Sequence, residues 1–140
     1  MSSPHHVDPE HELILVRPTG RVIEETFLQL CRALYDDPDR DPRFSVVWDT
    51  RSIDELVMDA DVIPDFKAFL RENEHRLTQG PVAIVAERPL TRTFASMLIQ
   101  VGSEHVGPYK IVATLEEAAQ GIGVSKIALT NFSTSQRIDA

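Results

Sequence analysis

Pro81-Val82-Ala83-Ile84-Val85-Ala86-Glu87 carries no charge before its last residue, and a short apolar run of this kind suits a strand covered on both faces. Two similar runs flank it, Phe44-Ser45-Val46-Val47-Trp48-Asp49 upstream and Tyr109-Lys110-Ile111-Val112-Ala113-Thr114 downstream. Between them apolar residues recur at three- and four-residue spacing, the period of helices laid against a sheet. The alternation predicts an α/β fold: a single layered domain with a four-stranded or slightly larger sheet, mixed or mostly parallel, covered by about four helices.

Working outward, residues 12–17 predict a first strand, and Pro18-Thr19-Gly20 supplies turn chemistry after it. A helix over 24–35 places Phe27, Leu28, Cys31, Leu34 and Tyr35 on one face. A second, over 61–77, has Val62, Phe66, Phe69, Leu70 and Leu77 inward, and a third, over 93–101, has Phe94, Met97, Leu98 and Val101. Thr114-Leu115-Glu116-Glu117 matches a capping box ahead of a short last helix. Residues 36–42 and 50–58 read as loops. The Ser-, Pro- and His-rich residues 1–10 read as a flexible arm, 11–123 as the α/β domain and 124–140 as a C-terminal tail.

The chain has 140 residues, with 14 Lys plus Arg against 22 Asp plus Glu and a formal charge of −8. Its average field disfavours nucleic acid and anionic lipid surfaces, so any anion needs a local basic pocket. The one cysteine, Cys31, has no intramolecular partner for a disulfide and sits on a core-facing stripe, where inert packing is expected. No stretch approaches the ~20 apolar residues of a membrane span, and no secretory signal precedes the first strand. Cytoplasmic residence, a homodimer and no cofactor are the expectations.

Ligands of open α/β sheets usually sit beyond the carboxyl ends of parallel strands, which points to Asp49-Thr50-Arg51, Glu87-Arg88 and Thr91-Arg92-Thr93. Arg88 and Arg92 flank an expected helix start. Its free N–H groups and the Thr91 and Thr93 hydroxyls would suit a phosphate or carboxylate. The plainer alternative is a threonine N-cap with solvated arginines. Asp49, ending a buried strand, needs a partner: either Arg51 or a backbone N–H, or else a ligand contact or an acid of raised pKa. Glu87 invites the same two readings. Asp37-x-Asp39-x-Asp41 opens like a calcium loop, but Pro42 replaces the turn glycine and Trp48 stands where the bidentate Glu belongs. His5, His6 and His11 are close in sequence without an orienting shell, so no metal site is expected. Nucleophile-elbow, Walker, dinucleotide-turn and paired-Cys zinc motifs are absent, and no catalytic residue is assigned.

From about Gly20 to Ile122 the order of elements resembles the STAS domain, the small α/β module of anti-sigma-factor antagonists and sulfate-transporter tails, and especially the bacterial SpoIIAA-like proteins. The likeness rests on Trp48-Asp49-Thr50-Arg51 closing a strand, on the strand over 81–86, and on Thr114-Leu115-Glu116-Glu117-Ala118 before a short helix. The lipid-binding CRAL-TRIO fold is expected to be related. In regulatory STAS members a Ser or Thr after an Asp, at the start of a helix, is phosphorylated and controls partner binding. The matching stretch here resembles Val57-Met58-Asp59-Ala60-Asp61, with Ala60 where that hydroxyl belongs. The resemblance thus implies a partner surface at Asp59, Ala60 and Asp61 without the phosphorylation switch. Ser52 and Thr50 substitute only if the loop alignment slips.

The expectation is a non-enzymatic regulatory or interaction module, or one that binds a small anionic or amphiphilic ligand. Amphiphile binding predicts an apolar cavity under the helix over 61–77. The rival is a small hydrolase or isomerase using Asp49 or Glu87 as base, with Arg51 or Arg88 as electrostatic stabiliser.

Overall fold

The computed structural model describes residues 4–102 and 107–123; the tail expected over 124–140 lies outside the described residues. In chain order the elements are β1 (His5–Asp8), β2 (Leu13–Val16), β3 (Gly20–Ile23), α1 (Glu24–Asp36), β4 (Ser45–Asp49), β5 (Ile53–Val57), α2 (Val62–Glu72), β6 (Val82–Val85), α3 (Pro89–Gly102), β7 (Tyr109–Val112) and α4 (Leu115–Ile122). The main sheet has the order β1-β2-β4-β6-β7, with β1 antiparallel and the other strands parallel. Each parallel crossover adds its strand on the same side of the last one. Right-handed connections then place all the crossover helices on one face.

Side-chain alternation divides the core accordingly. Ile14, Val16, Val46 and Val82 point into a layer with Phe27, Leu34, Phe66, Phe69 and Phe94 of α1, α2 and α3. Leu13, Leu15, Val47, Ala83 and Val85 point the other way, toward Ala118, Ala119 and Ile122 of α4. Large side chains buried this fully contribute about 1.5–3 kcal/mol each before conformational entropy.

Several expectations change. Residues 5–8 are not a loose arm: they form β1, paired with β2 from His5 opposite Val16 to Asp8 opposite Leu13. The Nε2 of His5 is 2.9 Å from Asp37 Oδ2 at the end of α1. Residues 50–58 are not a loop throughout, because β5 pairs in parallel with β3 as a second, two-stranded sheet. Gly20 starts β3 at a φ of 70°, a conformation open to glycine at little cost. Helix α2 ends at Glu72, and a 3₁₀ turn over Glu74–Arg76 carries the chain to Leu77. Helix α3 begins four residues earlier than expected, at Pro89, which needs no hydrogen-bond acceptor in a first turn.

The segments entering β4, β6 and β7 stack backbone to backbone. Gln79 N–H donates to Pro42 O at 2.7 Å and Gly107 N–H to Thr78 O at 2.9 Å. A Cβ on Gly80 would overlap the Phe44 carbonyl oxygen and lie 2.5 Å from that of Arg43; one on Gly107 would overlap the Gly80 oxygen.

The expected cap of α4 forms, with the Glu117 N–H donating to Thr114 Oγ1 at 3.1 Å, and Gly123 ends the helix at a φ of 75°. Thr114→Ala is expected to lower stability by about 1 kcal/mol, measured by urea unfolding; an unchanged midpoint would show that the cap contributes nothing.

Candidate functional site

Two arrangements flank the sheet, one on each face. The first centres on Asp49. Val47 faces α4 and Trp48 faces the three-helix layer, so alternation turns Asp49 back to the α4 side. The register of Val16 with Trp48 brings Arg17 level with Asp49. Arg51 grips the carboxylate by two parallel bonds, Nε to Oδ1 at 2.8 Å and Nη2 to Oδ2 at 2.9 Å, and its backbone N–H donates to Oδ1 at 3.2 Å. Arg17 Nη2 adds a bond to Oδ2 at 3.2 Å.

Asp49 is only 1 % exposed. Burial alone would push its carboxyl pKa up, but the Arg51 hydrogen bonds and the Arg51 and Arg17 charges outweigh it and hold the group below the usual carboxylate range. An anion locked against two guanidinium groups is a poor proton acceptor at neutral pH, so the base role expected of Asp49 does not fit this geometry. Glu87 is exposed beyond β6, and neither acid lines the cavity described next.

The second arrangement is an apolar cavity of about 120 Å³ in the three-helix layer. Its floor is Val46, Trp48, Val82 and Ile84 of the main sheet. Val22, Ile53 and Leu56 of the small sheet close one side, and Phe27, Phe66, Phe69 and Phe94 form walls from the helices. Phe27 stacks at a tilt between Trp48 and Phe66, with ring centroids 6.0 and 5.7 Å away. The cavity therefore lies under α2. Cys31 lines it, and burial pushes its thiol up to about 12, so it stays protonated.

Few polar groups face this space. Thr50 donates to Val85 O at 2.7 Å, and the Thr78 hydroxyl lies 3.1 Å from Arg40 Nη2 and 3.4 Å from Tyr35 Oη. Thr91 and Tyr109 also line the cavity. Burial raises the Tyr109 pKa above its ordinary value. Tyr109 begins β7 whereas Thr91 follows the end of β6, so the two hydroxyls mark opposite ends.

The residues expected to converge do not. Asp49 and Arg51 belong to the α4 side, Thr91 to the cavity. Thr93 is neither cap nor ligand group, because its hydroxyl donates to Pro89 O at 3.0 Å inside the helix. Arg88 Nη1 donates to Asp54 O at 3.1 Å and Arg92 Nη1 to Ala86 O at 2.8 Å, holding both exposed side chains around the start of α3. Asp59, Ala60 and Asp61 lie exposed ahead of α2, with Asp59 Oδ1 accepting the Asp61 N–H at 2.9 Å. The Glu24 carboxyl nearby is raised, first by desolvation and then by a hydrogen bond with Asp65 and the charges of Asp65, Asp59 and Asp61. The aspartates once suggestive of calcium are turned to local donors, Asp37 to the Asp39 N–H at 2.9 Å and Asp41 to Arg43 at 2.9 Å. Asp8, Glu10 and His11 gather within 4.8 Å at the exposed β1–β2 turn, where the Asp8 carboxylate already accepts the His11 N–H.

Among the described residues, the order of strands never reverses, the α/β crossovers lie on one face and a single helix lies on the other. A DUF3478-family protein of Shewanella loihica, described as having a SpoIIAA-like fold, superposes with a TM-score of 0.51 over 79 % of this chain and 83 % of its own, at 14 % identity. This chain has a SpoIIAA-like fold. The anti-sigma factor antagonist SpoIIAA in its unphosphorylated form aligns with a TM-score of 0.45 and 17 % identity, over 79 % of this chain and 88 % of its own. No protein-family model and no curated protein matches the sequence. Among the described residues of this SpoIIAA-like chain, no helix is long and apolar enough to cross a membrane.

Proposed function

We propose that this SpoIIAA-like domain is a non-enzymatic module that binds a small apolar or amphiphilic ligand in the cavity beneath α2. The observation that carries the reading is the cavity itself, apolar and walled by aromatic rings, since well-packed cores rarely leave voids larger than a water. Size narrows the ligand. An engineered cavity of about 150 Å³ accepts benzene, so 120 Å³ suits one ring or a short acyl chain and not an intact membrane lipid.

Trp48, the one tryptophan, lines the cavity and reports on its contents. Titration with 1-hexanol is expected to shift Trp48 emission saturably. Ala95, buried on α3 and facing the same space, offers a way to fill it: Ala95→Leu should abolish that response while keeping or raising the melting temperature. No saturable change in the wild-type protein would retire the ligand reading.

A second reading is favoured by the charge pattern ahead of α2. Asp59, Asp61, Asp65 and Glu24 gather with no ion pair to a cation among the described residues; the Glu24 pKa is raised, first by desolvation and then by Asp65, and Val57 near them in sequence is 40 % exposed. Such a surface suits a protein partner presenting basic residues around an apolar contact. With Ala60 at its centre, phosphorylation does not switch that position.

A further inference from the structure

Building on the ligand-binding reading, we infer that the cavity's ligand carries an uncharged carbonyl oxygen, held by the hydroxyl pair of Tyr35 and Thr78. Both residues are buried and line the cavity, Tyr35 near the end of α1 and Thr78 ahead of β6. Their donors and acceptors do not balance.

A guanidinium only donates, so Thr78 Oγ1 is the acceptor in its 3.1 Å bond with Arg40 Nη2. Tyr35 Oη accepts the Thr78 backbone N–H at 3.3 Å. Each hydroxyl thus spends a lone pair on a donor and keeps its own proton to give. The acceptor within reach of either proton among the described residues is the other hydroxyl, 3.4 Å away. That contact takes up one proton of the two, and it is longer than the roughly 2.5–3.0 Å of a full O–H···O bond. One proton is left over beside an apolar space, where an unmet donor is costly. The same neighbourhood holds a further surplus donor, Arg40 Nε, buried without an acceptor while the guanidinium lies 3.9 Å from the centroid of the Tyr35 ring. Bonding to that cation also polarises the Thr78 hydroxyl and strengthens it as a donor. An acceptor is what this corner lacks. It is an uncharged one, because Arg40 is not part of the lining. A buried carboxylate would meet a hydroxyl with no cation beside it, and one such bond does not offset the desolvation of an ion.

The test uses cyclopentanone and cyclopentane, matched in ring and different by one carbonyl, with calorimetry for affinity and infrared spectroscopy for the ketone. Both are expected to bind, and the carbonyl stretch of bound cyclopentanone should lie below its frequency in hexane, as a hydrogen bond requires. Tyr35→Phe and Thr78→Val should each keep that shift, since one hydroxyl remains in either variant. Combined, they should remove it and weaken the ketone by up to roughly tenfold, the upper range for one neutral hydrogen bond, while cyclopentane binds as before and so shows that the variant folds. The shift itself is read on the wild-type protein and needs no variant. If cyclopentane binds and cyclopentanone does not, or if the bound ketone shows no shift, the carbonyl assignment falls while the apolar cavity stands. A shift that persists in the double variant overturns the assignment to Tyr35 and Thr78. If neither compound binds the wild-type protein, the assignment and the ligand reading fall together.

Discussion

Asp49→Asn is expected to lower the unfolding free energy by about 3–5 kcal/mol, the cost of removing one partner from a buried ion pair. Asparagine keeps one acceptor oxygen but presents an NH₂ to guanidinium groups that are themselves only donors. Arg17, with a side chain 10 % exposed, and Arg51 would then face each other's charge without the anion between them. In a domain of this size the loss corresponds to a fall in melting temperature of roughly 10–20 °C. The pH dependence follows from the direction of the shift. Because the folded carboxyl titrates below its ordinary value, its stabilisation is complete above the unfolded pKa of about 3.9 and fades as pH falls through the lower folded value. The variant should therefore lose part of the wild-type acid limb as well as stability at pH 7. Equal melting temperatures at pH 7, with superimposable acid unfolding curves, would show that the triad is energetically silent.

Gly80→Ala should be comparably damaging for a reason that involves no charge. The added methyl group meets the backbone oxygens of Phe44 and Arg43, and a carbonyl cannot move aside as the end of a side chain can. Separation requires the entries to β4 and β6 to part, straining the Gln79 to Pro42 bond that joins them. A loss at or above the upper end of the roughly 1–3 kcal/mol typical of overpacking is expected. Gly121→Ala provides the contrast. Its nearest obstacle is the flexible Lys110 side chain at 3.2 Å, and alanine gains up to about 1 kcal/mol of helix propensity there. Urea unfolding of the two variants should move in opposite directions, and a Gly80→Ala midpoint equal to wild type would refute the stacking argument.

The uneven legibility of this chain has physical causes. Strands β4 and β6 could be read because burial on both faces demands apolar runs, β7 because Ile111 and Val112 continue that pattern at the sheet edge, and α4 because Thr114 and Glu117 announce its cap. Strands β3 and β5 were hidden by their environment. Only Val22 of β3 and Ile53 of β5 are fully buried, so most of their residues face water and resemble a loop. Strand β1 has the composition of a tail and owes its order to β2. The need of Asp49 for Arg51 was local, two residues apart, and visible; the contribution of Arg17 depends on how β2 slides along β4, which no single segment encodes. The expected convergence of Asp49 with Thr91 failed for a topological reason. Crevices at strand ends arise where strand order reverses, and β2-β4-β6-β7 never reverses. Pro89 was the signal that placed the start of α3 ahead of Thr91.

The walls of the cavity come from nearly the whole described chain, from Pro18 after β2 to Tyr109 at the start of β7. No fragment that lacks the last strand completes the lining of this space, so binding of the proposed ligand would be coupled to folding of the whole domain. A ligand held there acts on every element at once: at a hundred times its dissociation constant it adds about 2.7 kcal/mol to the stability of the whole domain. Supply of that small molecule would then set how long the protein persists in a cell, and its abundance would follow the metabolite as a gauge follows pressure.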